Sequence, residues 1–248
     1  MPETELWVTA LFNAFLAGPT TAALRWLHVP PENPAHPWTN FVAMEVLVAL
    51  IIILLFALLR PRLSMDRPGK GQHLAEMVYG FVGGQTDSVI GHRGRPYVPF
   101  FGAIFVFILC ANLIGAIPTL ESPTMSPAVT LGCALAAFCF YNSVGVRTQG
   151  PFRYLKHFLG PVWWLSFIMF PIEVISNLAR LLSLTVRLFA NMFAGELVIF
   201  AFISMVPLVL PLPFMALHIF VAFLQAYIFM LLTMVYVGEA LPHEAAHS

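Results

Sequence analysis

The sequence predicts an all-α integral membrane protein, with about five transmembrane helices and one further helix at the cytoplasmic interface, the last two spans forming a long hairpin. Three observations lead there. Of 248 residues, 59% are hydrophobic and 10% charged, against about 25% charged in a soluble domain, and the mean hydropathy is +0.84. Apolar stretches long enough to cross a bilayer recur from Phe41 to Tyr236. The Lys and Arg residues are confined almost entirely to alternate connections between those stretches, as the positive-inside rule requires. Little is left over for an extramembrane globule, so residues 41–248 read as a single membrane domain preceded by an outside arm, residues 1–40.

Taken in order, Met1 to Trp38 ends in the Pro-rich run PPENPAHPW and reads as an irregular arm. It has no basic n-region before its short apolar stretch, which argues against a cleaved signal peptide. Spans are predicted over 41–59, 98–118, 128–146, 160–206 and 213–237, each holding the roughly 20 apolar residues that a crossing needs. The fourth is about twice that length. Residues 71–91 mix Glu76, Gln85 and Asp87 with Leu, Val, Tyr and Phe, which suits a helix lying in the interface. Arg60, Arg62, Arg67, Lys70, Arg93 and Arg95 fall between the first two spans, and Arg147, Arg153 and Lys156 between the third and fourth. The alternate connections, Thr119 to Pro127 and Pro207 to Pro213, contain neither Lys nor Arg. The N-terminus is therefore expected outside and the C-terminus inside.

Formal net charge is zero and the basic residues form no patch, so nucleic acid is not an expected partner. Cys110, Cys133 and Cys139 all fall in predicted spans without metal-ligand spacing and read as small apolar residues. No cofactor is expected, and the absence of a G-x-x-x-x-G-K-[ST] run speaks against a P-loop nucleotide site.

Two cations, Arg180 and Arg187, lie inside the fourth span. A centrally placed Arg costs roughly 2.5 to 3.5 kcal/mol to insert, so such residues face protein or water and serve a purpose. At 100° per residue, Glu173, Ser176, Asn177, Arg180, Ser183 and Asn191 all fall within about 80° of Arg187 on the helical wheel. A hydrogen-bonded seam between helices would explain Ser176, Asn177 and Ser183 as well as an ion path does. It explains Arg187 poorly, because a seam needs no permanent cation and the helix supplies no nearby carboxylate. Glu196, nine residues on, points about 180° away, and a carboxyl group in an apolar setting is a candidate proton carrier. In the last span His218, Gln225 and Tyr236 lie within about 20° of one line. Glu196 and His218 sit at similar depth on either side of the turn. Since His titrates in the physiological range, they make a candidate entry path.

The run RLLSLTVRLFANMFAGEL from Arg180 to Leu197, followed by HIFVAFLQAYIFMLLTMVY from His218 to Tyr236, closely resembles subunit a of the membrane sector of rotary F-type ATP synthases. The resemblance extends more loosely to ANLIGAIP from Ala111 to Pro118 and covers most of the chain from Phe41 onward. It implies two long, tilted helices wrapping a ring of c subunits, with Arg187 separating two offset half-channels. By motif match it implies Glu196 and His218 in the outer half-channel, Gln225 beside the arginine and Asn191 one turn beyond it. Arg180 matches a basic position nearer the inside, where Glu173, Ser176, Asn177 and Ser183 would line the exit. Some bacterial members carry an Asp shortly after the Asn-Leu of the second span; this chain reads Asn112, Leu113, Ile114, Gly115, so Asn112 stays a candidate on the ion path while the outer route rests more on Glu196 and His218. The resemblance further implies a non-catalytic, proton-carrying subunit of the whole complex in a bacterial inner membrane, with b-type peripheral stalk subunits as further partners.

Rival readings remain open at this point. His243, Glu244 and His247 satisfy the H-E-x-x-H pattern of zinc proteases, but on a terminus that offers no further ligand and no rigid helix. In a secondary transporter Arg187 would bind an anionic substrate, though internal repeats are expected there and only one long hairpin is evident. A purely structural stator anchor would leave Arg187 unexplained.

Overall fold

The computed structural model describes residues 6–26, 36–64, 68–117, 120–150, 166–205 and 211–241. Seven α-helices account for most of them: α1 (Trp7–Trp26), α2 (Asn40–Leu59), α3 (Lys70–Val89), α4 (Val98–Ile114), α5 (Pro127–Gln149), α6 (Ser166–Met205) and α7 (Pro211–Ala240). Five of these regions are long and apolar enough to cross a membrane.

The punctuation of the chain sets these boundaries. Helix α2 is largely apolar, with Glu45 near its start and an unbroken apolar run from Val46 onward, and stops at the Arg60–Arg62 3-10 turn around Pro61. Helix α3 ends at Gly91, whose φ of 80° belongs to the left-handed region that glycine tolerates best. Pro99 and Pro127 lie in the first turns of α4 and α5, where a missing N–H costs nothing. Helix α6 runs for 40 residues and α7 for 30, so the expected long hairpin is present. Its turn, residues 206–210, and the basic segment 151–165 lie outside the described residues, as does the HEAAH segment.

Helices α4, α5, α6 and α7 pack as a bundle, with α4 against α7, α5 against α6 and α7, and α6 against α7. Phe101, Ile108, Leu188, Met192, Phe229, Met230 and Met234 are fully buried between them. Methionine's flexible thioether fills irregular gaps of this kind. The α3 helix docks across α4 and α7. There Phe81 lies 6.0 Å from Phe105 and 5.7 Å from Tyr227, centroid to centroid, and the Tyr227 hydroxyl donates to Gln85 Oε1 at 3.0 Å.

The irregular arm is corrected over Trp7–Trp26, which is helical. Val8 and Phe12 pack on Ala43 and Met44 at the start of α2, and Phe12 meets Trp38 edge-on at 5.2 Å. Asn13 exchanges hydrogen bonds with the Trp38 backbone, donating from Nδ2 to its carbonyl at 3.4 Å and accepting its N–H at 3.1 Å. Pro19 lies inside the helix, where proline is ordinarily unfavourable. Beside it, Thr20 and Thr21 turn their hydroxyls onto the carbonyls of Leu16 and Gly18, and packing on α2 fixes the rest.

Candidate functional site

The buried face of α6 is formed by Asn177, Leu184, Thr185, Leu188, Met192 and Glu196. Its opposite face, including Leu182, Val186, Phe193 and Leu197, is exposed from the rest of the chain. The polar stripe runs along the border between the two. Glu173, Ser176, Arg180 and Arg187 are half-buried there, while Ser183 and Asn191 are exposed. Glu196, about 180° from Arg187, lies on the other border of the buried face.

The two membrane arginines differ sharply in their surroundings. Arg180 donates from Nη1 to Glu239 Oε2 at 2.6 Å, and its guanidinium lies 5.1 Å from the centroid of the Tyr236 ring, within cation–π range. Arg187 reaches only the Ser183 hydroxyl, at 3.5 Å. Among the described residues it forms no ion pair within 4.0 Å.

Hydrogen bonds join the predicted residues in small groups. Asn191 Nδ2 donates to Gln225 Oε1 at 2.8 Å, which ties α6 to α7 one turn beyond Arg187. Toward the other end, Tyr141 of α5 donates its hydroxyl to Asn177 Oδ1 at 2.8 Å. Asn177 Nδ2 in turn donates to the Glu173 carbonyl at 3.0 Å, and the Glu173 carboxylate lies at 3.5 Å.

Glu196 and His218 are both buried. They lie at matching levels, since a Cβ placed on Gly195 would fall 2.6 Å from His218 Nδ1. They are not hydrogen-bonded to one another among the described residues. The Glu196 Oε1 atom instead accepts the Ser122 backbone N–H at 3.3 Å, and His218 Nε2 is buried with no hydrogen-bond partner among the described residues. Asn112, fully buried, donates to the Ala222 carbonyl at 3.3 Å and accepts from the Thr124 hydroxyl at 2.8 Å.

Sequence reasoning passed over Ser122, Thr124, Tyr141 and Glu239. Glu239 was within reach: it lies three residues past Tyr236 and within about 40° of the His218–Gln225 line. Ser122 and Thr124 sit in a connection with no helical periodicity to give them away.

Fold and site together define a multi-pass helical membrane protein built around one long hairpin that carries a buried polar face. The sequence matches the ATP synthase A chain family over residues 42–238. It is 57% identical over 234 residues to ATP synthase subunit a of Solibacter usitatus, covering 94% of this chain and 100% of that one. It is 51% identical over 243 residues to the Koribacter versatilis subunit a, covering 98% and 99%. With the Geobacter sulfurreducens subunit a the identity is 39%, covering 80% of this chain and 85% of the other. The chain belongs to the ATP synthase A chain family, and its partner is the ATP synthase complex.

Proposed function

We propose that this chain is the non-catalytic, proton-translocating stator subunit of a rotary ATP synthase in a bacterial inner membrane. It offers two half-channels to the carboxylates of a c-subunit ring, separated by Arg187, and is held by b-type stalk subunits. One observation carries the reading. Of the two arginines within the spans, Arg180 is neutralised by Glu239, whereas among the described residues Arg187 has only a distant hydroxyl on a border that opens onto an exposed face. A cation in that position calls for a counter-charge from another polypeptide. An ionised ring carboxylate about 4 Å away would be drawn in by roughly 4 kcal/mol at an effective dielectric of 20, several times thermal energy. Protonation cancels the attraction and lets the ring step on.

On this reading Glu196 and His218 take protons from the outside and deliver them to the ring on one side of Arg187. Glu173, Ser176, Asn177 and Ser183 release them toward the inside on the other, and Gln225 and Asn191 brace the two helices at the arginine. Each proton crossing a membrane potential supplies about 2.3 kcal/mol per 100 mV, so several are needed for each ATP. The fixed charge of Arg187 biases every step without being consumed, and it blocks a proton from passing straight between the half-channels.

The test is Arg187→Ala in the intact complex. ATP-driven acidification of inverted vesicles should vanish while the complex still assembles, and co-purification of a c ring should persist. Pumping at the wild-type rate would overturn the assignment. Transport of an anionic substrate lost in the same variant would favour a secondary transporter instead.

A further inference from the structure

A second polar cluster, buried away from the stripe, ties the connection between α4 and α5 to Glu196. Its hydrogen bonds follow in order. Asn112 Nδ2 donates to the Ala222 carbonyl at 3.3 Å, which turns Oδ1 toward Thr124, whose hydroxyl donates to it at 2.8 Å. The Thr124 proton is thereby committed. The Ser122 hydroxyl, 2.7 Å from Thr124 Oγ1 and 3.0 Å from the Ala111 carbonyl, has one proton to share between those two acceptors. The Ser122 backbone N–H is left to donate to Glu196 Oε1. Asn112, Ser122 and Thr124 are all fully buried. Gly115 closes the group: a Cβ there would fall 2.5 Å from Glu196 Oε1 and 2.7 Å from Ser122 Cβ, so only glycine lets the carboxylate and the connection approach so closely.

The arrangement is asymmetric at the carboxyl group. Oε1 is held, while Oε2 has no hydrogen-bond partner among the described residues. A fully caged carboxylate would not exchange its proton, and one left loose would spend little time correctly aimed. We propose that Gly115, Ser122 and Thr124 are positioning residues for Glu196: the α4–α5 connection grips one carboxylate oxygen and presents the other for proton exchange. This rests on the proposed role of Glu196 as the outer proton carrier. The connection thereby becomes a working part of the entry path rather than a link between spans.

Ser122 allows the N–H to be tested apart from the hydroxyl. Its φ of −69° and ψ of 123° are values that proline adopts unstrained. Ser122→Pro therefore keeps the local φ and ψ while deleting both the N–H and the hydroxyl, and it sets the ring Cδ where the N–H pointed at Glu196 Oε1. The difference from Ser122→Ala reports the loss of the N–H contact. Ser122→Ala deletes only the hydroxyl. Both are measured in the whole complex, in proteoliposomes, by ATP-driven pumping and its dependence on the pH of the compartment facing the α4–α5 connection. Assembly is followed by native gel. Ser122→Pro should lower the rate roughly tenfold or more, the scale of a hydrogen bond to a charged group, and displace the pH profile by about half a unit or more. Ser122→Ala should lose less and keep the profile. Equal losses in both variants with an unmoved profile would mean that the cluster merely anchors the connection, and the proposal falls. If Ser122→Pro does not assemble, Thr124→Val decides on the same two readouts, a displaced profile supporting the proposal and a wild-type profile overturning it. Glu196→Gln separates the two layers of the argument. Should it pump normally, the role of Glu196 itself fails. Should it be inactive while Ser122→Pro and Thr124→Val behave as wild type, only the cradle fails.

Discussion

Replacing Glu239 by Gln keeps the shape and a hydrogen-bond acceptor beside Arg180 but removes the charge that neutralises it. Arg180 is seven residues from Arg187, about 10.5 Å along the helix. A second uncompensated cation at that distance raises the potential at Arg187 by roughly 1.6 kcal/mol at an effective dielectric of 20. Both partners of the pair are partly exposed, and screening by salt brings the figure down to about 1 kcal/mol. On the proposed exit path a proton leaving along the stripe passes both charges, so release should slow by about three- to tenfold. ATP-driven quenching of a pH-sensitive dye in inverted vesicles reads this rate directly. The loss should shrink when ionic strength is raised, and Arg180→Gln in the Glu239→Gln background should recover most of it, because the double variant restores neutrality. A Glu239→Gln complex that pumps like wild type, or a double variant worse than either single one, would refute the electrostatic argument and leave the pair as a tether between α6 and α7.

Two further predictions follow from the packing. Gly195→Ala places a methyl group 2.6 Å from His218 Nδ1, so the buried ring must shift. Thermal stability of the complex should fall by about 1–3 kcal/mol together with pumping, and His218→Ala in the same chain should restore the stability, as read by a melting curve, without restoring the pumping. At the interfacial helix, Arg95 donates to both Asp87 carboxylate oxygens at 3.1 and 3.0 Å, and this hydrogen bond holds the Asp87 carboxyl below its ordinary value. A depressed carboxyl contributes stability that is complete above the ordinary value near 3.8 and is lost as pH falls through the depressed one. Amide protection factors at the end of α3, corrected for the intrinsic pH dependence of exchange, should therefore fall on acidification through that window, and Asp87→Asn should remove this change.

Most of the architecture was legible because its determinants are local. Twenty apolar residues in a row, proline at a first helical turn and the alternation of basic connections each act within one segment, and α2 to α7 begin and end within a few residues of those signals. Helix α1 was not legible, since its own sequence, broken by Pro19, argues weakly for a helix and its order comes from Ala43, Met44 and Trp38, far along the chain. The site divides in the same way. Arg187, Asn191 and Gln225 share helical faces that periodicity exposes. The wheel also placed Glu196 opposite Arg187, but its partner could not be inferred: the Ser122 N–H comes from 74 residues away through a connection that has no period.

The guanidinium of Arg187, with no ion pair among the described residues, bears on how such a protein is made as well as on its proposed work. An arginine without a counter-charge is costly in hydrocarbon, by roughly 2.5 to 3.5 kcal/mol on insertion scales, a sizeable share of the stability of an ordinary domain. On the proposed role, a chain inserted ahead of the ring would carry that burden until a carboxylate-bearing neighbour arrived, while Arg180, matched by Glu239 within the same chain, needs no such help. If Arg187 faces a ring carboxylate as proposed, the same charge would also mark unassembled copies as unfinished, so that biogenesis would favour chains that have met that partner.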